Sequence, residues 1–260
     1  MTASNTHKNV VVFGQTGAGK SSLINLMAGK RVTHTSNDMK RCTLSWAEYD
    51  IEFGGESYKV FDTVGLEEPQ LGLPQYLETV KNACELIRNL ERQGGIDLLL
   101  FCMKAGRLTA TLQSNYLLFH EFLCEKKVPI VIAITHVEQS EEEGRLDAWW
   151  ERNEEIFLEQ DVRVDGHACV VAADRNNKYP LQYKESHVKI RNLVKKFSII
   201  DGKRPLPTGD NLVVRFMSKL KKLLLPGRVT RRDIVPYLTK RCGVSREAAT
   251  QVADMIKKSK

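Results

Sequence analysis

Residues Gly14-Gln15-Thr16-Gly17-Ala18-Gly19-Lys20-Ser21 have the spacing G-x-x-x-x-G-K-[ST]. They stand between an apolar run, Val10 to Phe13, and a helical segment bearing Leu23, Ile24 and Leu26. In that context the pattern is a phosphate cradle. Its glycines let backbone N–H groups turn inward on phosphate oxygens at a helix start, where the helix dipole adds positive potential. Lys20 can reach the β- and γ-phosphates, and the Ser21 hydroxyl is a ligand for Mg²⁺. The whole cradle, with Gln15, Thr16, Ala18 and Ser22 included, is assigned to nucleotide binding.

A second group follows one hairpin later. In Asp62-Thr63-Val64-Gly65 the carboxylate of Asp62 can hold Mg²⁺ through water, and the Gly65 N–H can meet a γ-phosphate. The flanking segments, Arg31 to Thr43 and Leu66 to Pro74, are polar or broken by Gly and Pro, as expected of segments that order or release with nucleotide state. Thr43 is the candidate switch threonine for Mg²⁺, with Thr33 and Thr35 as competitors. The third group is Thr135-His136-Val137-Glu138, directly after the run Pro129 to Ile134. A carboxylate there accepts two hydrogen bonds from the N1–H and amino group of guanine, which adenine cannot supply. Glu138 takes this role, His136 is placed to lie over the base plane, and Ala172-Ala173 in a later loop offer backbone N–H groups to the base.

These groups need a scaffold that brings strand ends together. Asn9 to Phe13, Trp46 to Phe53, Tyr58 to Phe61, Ile96 to Met103, Pro129 to Thr135 and Ala168 to Ala172 read as strands. Lys20 to Ala28, Pro74 to Leu90, Thr111 to Cys124, Asp147 to Gln160 and Glu185 to Phe197 read as helices. Gly54 and Gly55 predict an antiparallel hairpin on the edge of an otherwise parallel sheet. The alternation predicts a three-layer α/β nucleotide-binding domain over residues 1–200. A Pro- and Gly-punctuated stretch, Asp201 to Asp210, then leads into a helical extension over residues 201–260.

Net charge is +7, distributed as about −3 over residues 1–200 and +10 over residues 201–260. A helix from Asn211 to Leu225 sets Val213, Phe216, Leu220 and Leu223 against Arg215, Lys219 and Lys222, and Thr230 and Ser245 read as caps of two further helices. That pattern fits packing on the body, an acidic partner, or peripheral contact with a membrane surface. Nucleic acid is not expected, since no aromatic residues interleave with the basic ones. The six cysteines have neither disulfide nor zinc spacing, and no segment has the layout of a signal peptide or a membrane span, so a cytoplasmic protein with reduced thiols is expected.

The residues placed so far resemble the septin-like GTPases that include the immunity-associated-protein GTPases and the chloroplast outer-envelope import receptors, and most closely the small G-domain proteins of mushroom-forming fungi. The likeness covers roughly residues 8 to 198. It rests on GQTGAGKSS, DTVGL, the segment Phe101 to Thr109, and the Thr135 to Glu138 group. It implies a GTP/GDP- and Mg²⁺-binding G domain with a slow hydrolase activity. It also implies a homodimer through the nucleotide face, near which the relatives carry a G-R-x-T box matched here by Gly106, Arg107 and Thr109. Three positions depart from the pattern: Glu138 and His136 replace the usual aspartate and lysine, and Leu66 stands where Ras-like enzymes carry a water-orienting glutamine. Arg107, acting in trans, is the candidate that supplies the missing stabilisation; a structural pairing in its own loop is the competing role. A GTP-hydrolysing enzyme and a nucleotide-dependent assembly module both remain open, and a phosphate-loop kinase is disfavoured by the hairpin before Asp62.

Overall fold

The computed structural model describes residues 7–33, 46–63, 85–86, 89–90, 92–139, 145–174, 176–198, 235–236, 246–247, 250 and 253–254. Its centre is a six-stranded sheet of order β2-β3-β1-β4-β5-β6. The strands are β1 (Lys8–Phe13), β2 (Trp46–Phe53), β3 (Glu56–Thr63), β4 (Leu98–Lys104), β5 (Ile130–Thr135) and β6 (Gly166–Val170). All neighbours run parallel except β2 and β3. Their hairpin turns on Gly54 and Gly55 at φ 61° and 78°, the left-handed pair that a two-residue turn between twisted strands requires.

β1, β4 and β5 are apolar along nearly their whole length because helices cover both faces of the sheet. On one face Val10, Val12, Leu98, Leu100, Val131 and Ala133 meet α1 (Lys20–Ala28) and α4 (Pro180–Phe197) through Leu23, Ile24, Ile190 and Val194. On the other, Val11, Phe13, Phe101, Ile132 and Ile134 pack with α2 (Ala110–Tyr116) and α3 (Ala148–Glu159), and Phe13 stacks on Phe101 and Phe119. This three-layer arrangement with one antiparallel edge strand is the one the alternation of elements predicts.

Three local differences have physical causes. The helix expected over Thr111 to Cys124 is α-helical only to Tyr116, and Leu117–Leu123 form a π-helical turn. It places Leu118, Phe119 and Leu123 in the core. α4 begins five residues earlier than expected, because Pro180 occupies its first position, where a missing N–H costs nothing. β3 extends to Thr63, so Asp62 belongs to the strand itself, paired in register with Val12. Cys102, Cys124 and Cys169 are buried.

The helix Pro74 to Leu90, the linker Asp201 to Asp210, the Asn211 to Leu225 helix and the caps Thr230 and Ser245 lie wholly or mostly outside the described residues. The extension nevertheless reaches the body: Ala253, only 1% exposed, belongs to the core cluster of Phe13 and Leu90, with Val235 packed against it. Among the described residues no helix is long and apolar enough to cross a membrane.

His120, on the π-helical turn, is 8% exposed and sits 5.1 Å from the Tyr116 ring. Burial pushes its imidazole down to about 4, against an ordinary value near 6.5. The unfolded chain therefore takes up the proton first, so His120 contributes full stability above pH about 6.5 and loses it as pH falls toward about 4. Between pH about 6.5 and about 5 this loss is on the order of 2 kcal/mol. Urea denaturation across that range should show the slope flattened by about that amount in His120→Phe relative to the parent chain.

Candidate functional site

The register of the parallel strands sets one row of chain ends level. Val12 pairs with Asp62, Phe13 with Phe101, Lys104 with Thr135 and Thr135 with Val170. The loops after β1, β3, β4, β5 and β6 therefore open on a common rim, at the carboxyl ends of the strands where the order reverses around β1.

Gly14 leaves β1 at φ 143°, and a Cβ there would lie 1.8 Å from the carbonyl oxygen of Cys102 on β4. No side chain fits. Gly17 and Gly19 are left-handed at φ 78° and 87°, and Gly19 caps α1 without any side-chain bond. The first turn of α1 carries no acidic residue. Its N-terminal N–H groups and dipole are thus left for an anion from outside the helix. Lys20 folds back across the loop, its Nζ donating to the Gly14 carbonyl at 2.9 Å. Ser21 Oγ lies 3.4 Å from Asp62 Oδ2, and Asp62 is 2% exposed. A hydroxyl and a carboxylate oxygen this close form the hard oxygen pair that suits Mg²⁺.

The loop is held from below. Ala18 O accepts from Thr135 Oγ1 at 2.6 Å and from Cys102 Sγ at 3.2 Å, while the Ala105 N–H donates to Thr135 O at 2.8 Å. Thr135 is completely buried, and its hydroxyl is committed to the Ala18 carbonyl under the cradle. His136 follows at φ 60°, a left-handed turn that swings the chain into the short 3-10 helix Val137–Gln139. Its Nδ1 lies 2.9 Å from Thr135 Oγ1, and its ring stands beside Gly19. Glu138 Oε2 is sealed from solvent and has no hydrogen-bond partner among the described residues. A buried carboxylate oxygen in that state loses its hydration without compensation, which fits a donor brought by a ligand.

The remaining residues divide. Ala172 is buried and Ala173 exposed on the rim after β6, whereas Asp174 caps the approach to α4 by accepting from the N–H groups of Lys178 and Tyr179. Arg107 is exposed on the loop after β4, and no ion pair or hydrogen bond holds it among the described residues. Among the switch threonines, Thr33 is buried and bonded to Asn25 Nδ2 at 2.8 Å, which removes it as a metal ligand. Thr43, Thr35, Gly65 and Leu66 lie outside the described residues. Sequence reasoning missed Cys102 as a support of the loop; its signal was a thiol in mid-strand at the level where β1 ends.

A cradle at the first strand–helix junction, a carboxylate at the end of β3 and an acidic turn after β5 define the fold as that of a P-loop GTPase G domain. The family model for 50S ribosome-binding GTPases matches residues 9–136. No curated protein matches the sequence. Among solved structures, a dimerisation-deficient arginine-to-alanine mutant of Toc33 from Arabidopsis thaliana aligns at 20% identity over 74% of this chain and 83% of that one, with TM-score 0.51. A structure of the chloroplast translocon components atToc33 and psToc159, described as showing that dimerisation is important for their GTPase activity, aligns at 20% identity over 78% and 85%, with TM-score 0.52.

Thr135→Val should weaken the chain by about 1–2 kcal/mol in urea denaturation, the lower part of the range for a broken buried hydrogen bond, since Cys102 still donates to Ala18. Nucleotide affinity should fall with it. Unchanged stability and affinity would show that the tie does not position the loop.

Proposed function

We propose that the chain binds GTP and GDP with Mg²⁺ and hydrolyses GTP slowly, as a switch regulated by pairing of two G domains across their nucleotide faces. The observation that carries the guanine reading is Glu138 Oε2, buried and unpartnered on the rim shared with the phosphate loop. Gly14 to Ser22 would hold the phosphates, with Lys20 on the β- and γ-oxygens and the uncapped start of α1 beneath them. Ser21 and Asp62, with Thr43, would hold Mg²⁺, which neutralises charge developing on the γ-phosphoryl group. His136 would cover the base, Glu138 would read its N1–H and amino group, and Gly65 would meet the γ-phosphate.

Arg107 supports the pairing. It stands exposed on the loop after β4, on the same rim, where a second copy could place its own γ-phosphate. A guanidinium brought to the developing charge is worth about 10³–10⁵ in rate where it is used. The Toc33 comparison supports this reading, because the mutant there is an arginine-to-alanine change described as dimerisation-deficient. A second reading, an assembly module whose hydrolysis is incidental, is favoured by one residue: Leu66 cannot orient water. For the extension we propose packing on the body, which the burial of Ala253 supports, ahead of membrane contact.

Calorimetry with GTP, GDP and ATP analogues in Mg²⁺ tests the base assignment. Guanine nucleotides should bind more tightly, and Glu138→Ala should erase about 2–3 kcal/mol of that preference; tighter binding of ATP than GTP by the parent chain would overturn it. For Arg107, single-turnover hydrolysis should accelerate with protein concentration in the parent and lose that dependence in Arg107→Ala. If the variant stays as concentration-dependent as the parent, the in-trans role is wrong.

A further inference from the structure

The loop that follows β6 is fastened on both sides of a short stretch, each time by a side chain. On the near side the N–H of Val171, a residue with no exposed surface, donates to Ser186 Oγ at 2.8 Å. Ser186 is itself completely buried, in the second turn of α4. On the far side the two carboxylate oxygens of Asp174 accept separately, Oδ1 from the Lys178 N–H at 2.8 Å and Oδ2 from the Tyr179 N–H at 3.1 Å. Asn177, at φ 50°, supplies the left-handed turn that brings those N–H groups round.

Either fastening alone is an ordinary device, a hydroxyl completing a strand end or a carboxylate capping the approach to a helix. Together they leave two residues between them, Ala172 and Ala173. Ala172 is 8% exposed and Ala173 is open on the rim. Among the described residues neither of their N–H groups has a hydrogen-bond partner. A donor on a residue as buried as Ala172 is seldom left so. The register sets this pair beside the unsatisfied acceptor of the rim: Thr135 pairs with Val170, so Ala172 and Glu138 stand two and three residues beyond matched positions on adjacent strands. Glu138 Oε2 needs donors, and the Ala172-Ala173 pair needs an acceptor. A guanine edge offers both, its N1–H and amino group to the one and its O6 to the other.

We propose that Ser186 and Asp174 are positioning residues for base selection, which fix the chain on both sides of Ala172 and Ala173 and so aim those N–H groups at the oxygen on position 6 of the purine. The inference rests on the guanine reading given above. It adds that discrimination is divided between two strand ends, with Glu138 after β5 reading positions 1 and 2 and the fastened pair after β6 reading position 6. Neither positioning residue has to touch the nucleotide. Ser186 lies buried behind the rim, and the Asp174 carboxylate is occupied by Lys178 and Tyr179. Donors held in place gain most because they need no reorganisation when the ligand arrives; an unfastened pair would have to be ordered on binding.

Calorimetry on the full chain with Mg²⁺ compares GDP with ADP and with two analogues changed at one position: 6-thio-GDP, whose sulfur is a poor acceptor in place of O6, and IDP, which lacks the 2-amino group. The parent should prefer GDP over each analogue by about tenfold. In Ser186→Ala the preference over 6-thio-GDP should fall to about twofold, while the preference over IDP stays, since Glu138 is untouched. Asp174→Ala should behave alike, and Asp174→Asn, which keeps one accepting oxygen, should recover part of the preference. If Ser186→Ala does not fold, Asp174→Ala, at an exposed position, carries the test. A purely structural role would weaken GDP, IDP and 6-thio-GDP equally and leave both ratios at the parent's values, which overturns the proposal; so does a folded variant that loses both preferences together. A parent that prefers GDP over ADP but binds 6-thio-GDP as tightly as GDP overturns this inference alone, whereas a parent that binds ADP more tightly than GDP overturns the guanine reading and this inference with it.

Discussion

The cradle depends on how closely its backbone approaches the sheet. Gly14 passes so near the carbonyl of Cys102 that a single methyl group would drive β1 and β4 apart. Four residues later the chain is caught again, by Thr135 and Cys102 on the carbonyl of Ala18. The loop is thus pinned at both ends to β4 and β5, and only the stretch between, Gln15 to Gly17, faces outward. A loop pinned in this way needs little reorganisation when an anion arrives, which is where a binding site with fixed dipoles gains most over water.

One of these strands, β5, also carries the turn after Thr135. β5 ends in Thr135, whose side chain grips the phosphate loop and whose successor, His136, turns left-handed beside Gly19. One residue therefore connects the part of the site suited to phosphate with the part suited to a base. Displacing either loop would displace the other, since they share a hydroxyl and a strand end and have no flexible connection between them. Asn25 does a similar task at the far end of α1, where its Oδ1 accepts from the N–H groups of Val32 and Thr33 and fixes the direction in which the chain leaves toward residues 34–45.

Much of this was legible in the sequence because the relevant signals are local. The cradle spacing, the Gly54-Gly55 turn and the unbroken apolar runs of β1, β4 and β5 each encode their own geometry, and α1 appears with the predicted bounds. What could not be read depends on distant residues meeting. Nothing near Cys102 announces that its thiol and carbonyl will both face a loop more than eighty positions earlier. The π-helical turn at Leu117–Leu123 has an ordinary helical pattern in sequence, and only the core around Phe13 selects the wider winding. Thr33 competes with Thr43 in the sequence, and only the structure commits its hydroxyl to Asn25.

The unfilled start of α1 has one more consequence. A helix whose first turn has neither a capping side chain nor an acid, with a buried carboxylate oxygen lacking a donor among the described residues on the same rim, is built to be completed by a ligand. A ligand that completed it would bind the folded state and not the unfolded chain, and so would add stability that grows with the logarithm of its concentration. The amount of intact protein in a cell would then follow the supply of that ligand. A chain newly made where the ligand is scarce would be the first to be lost.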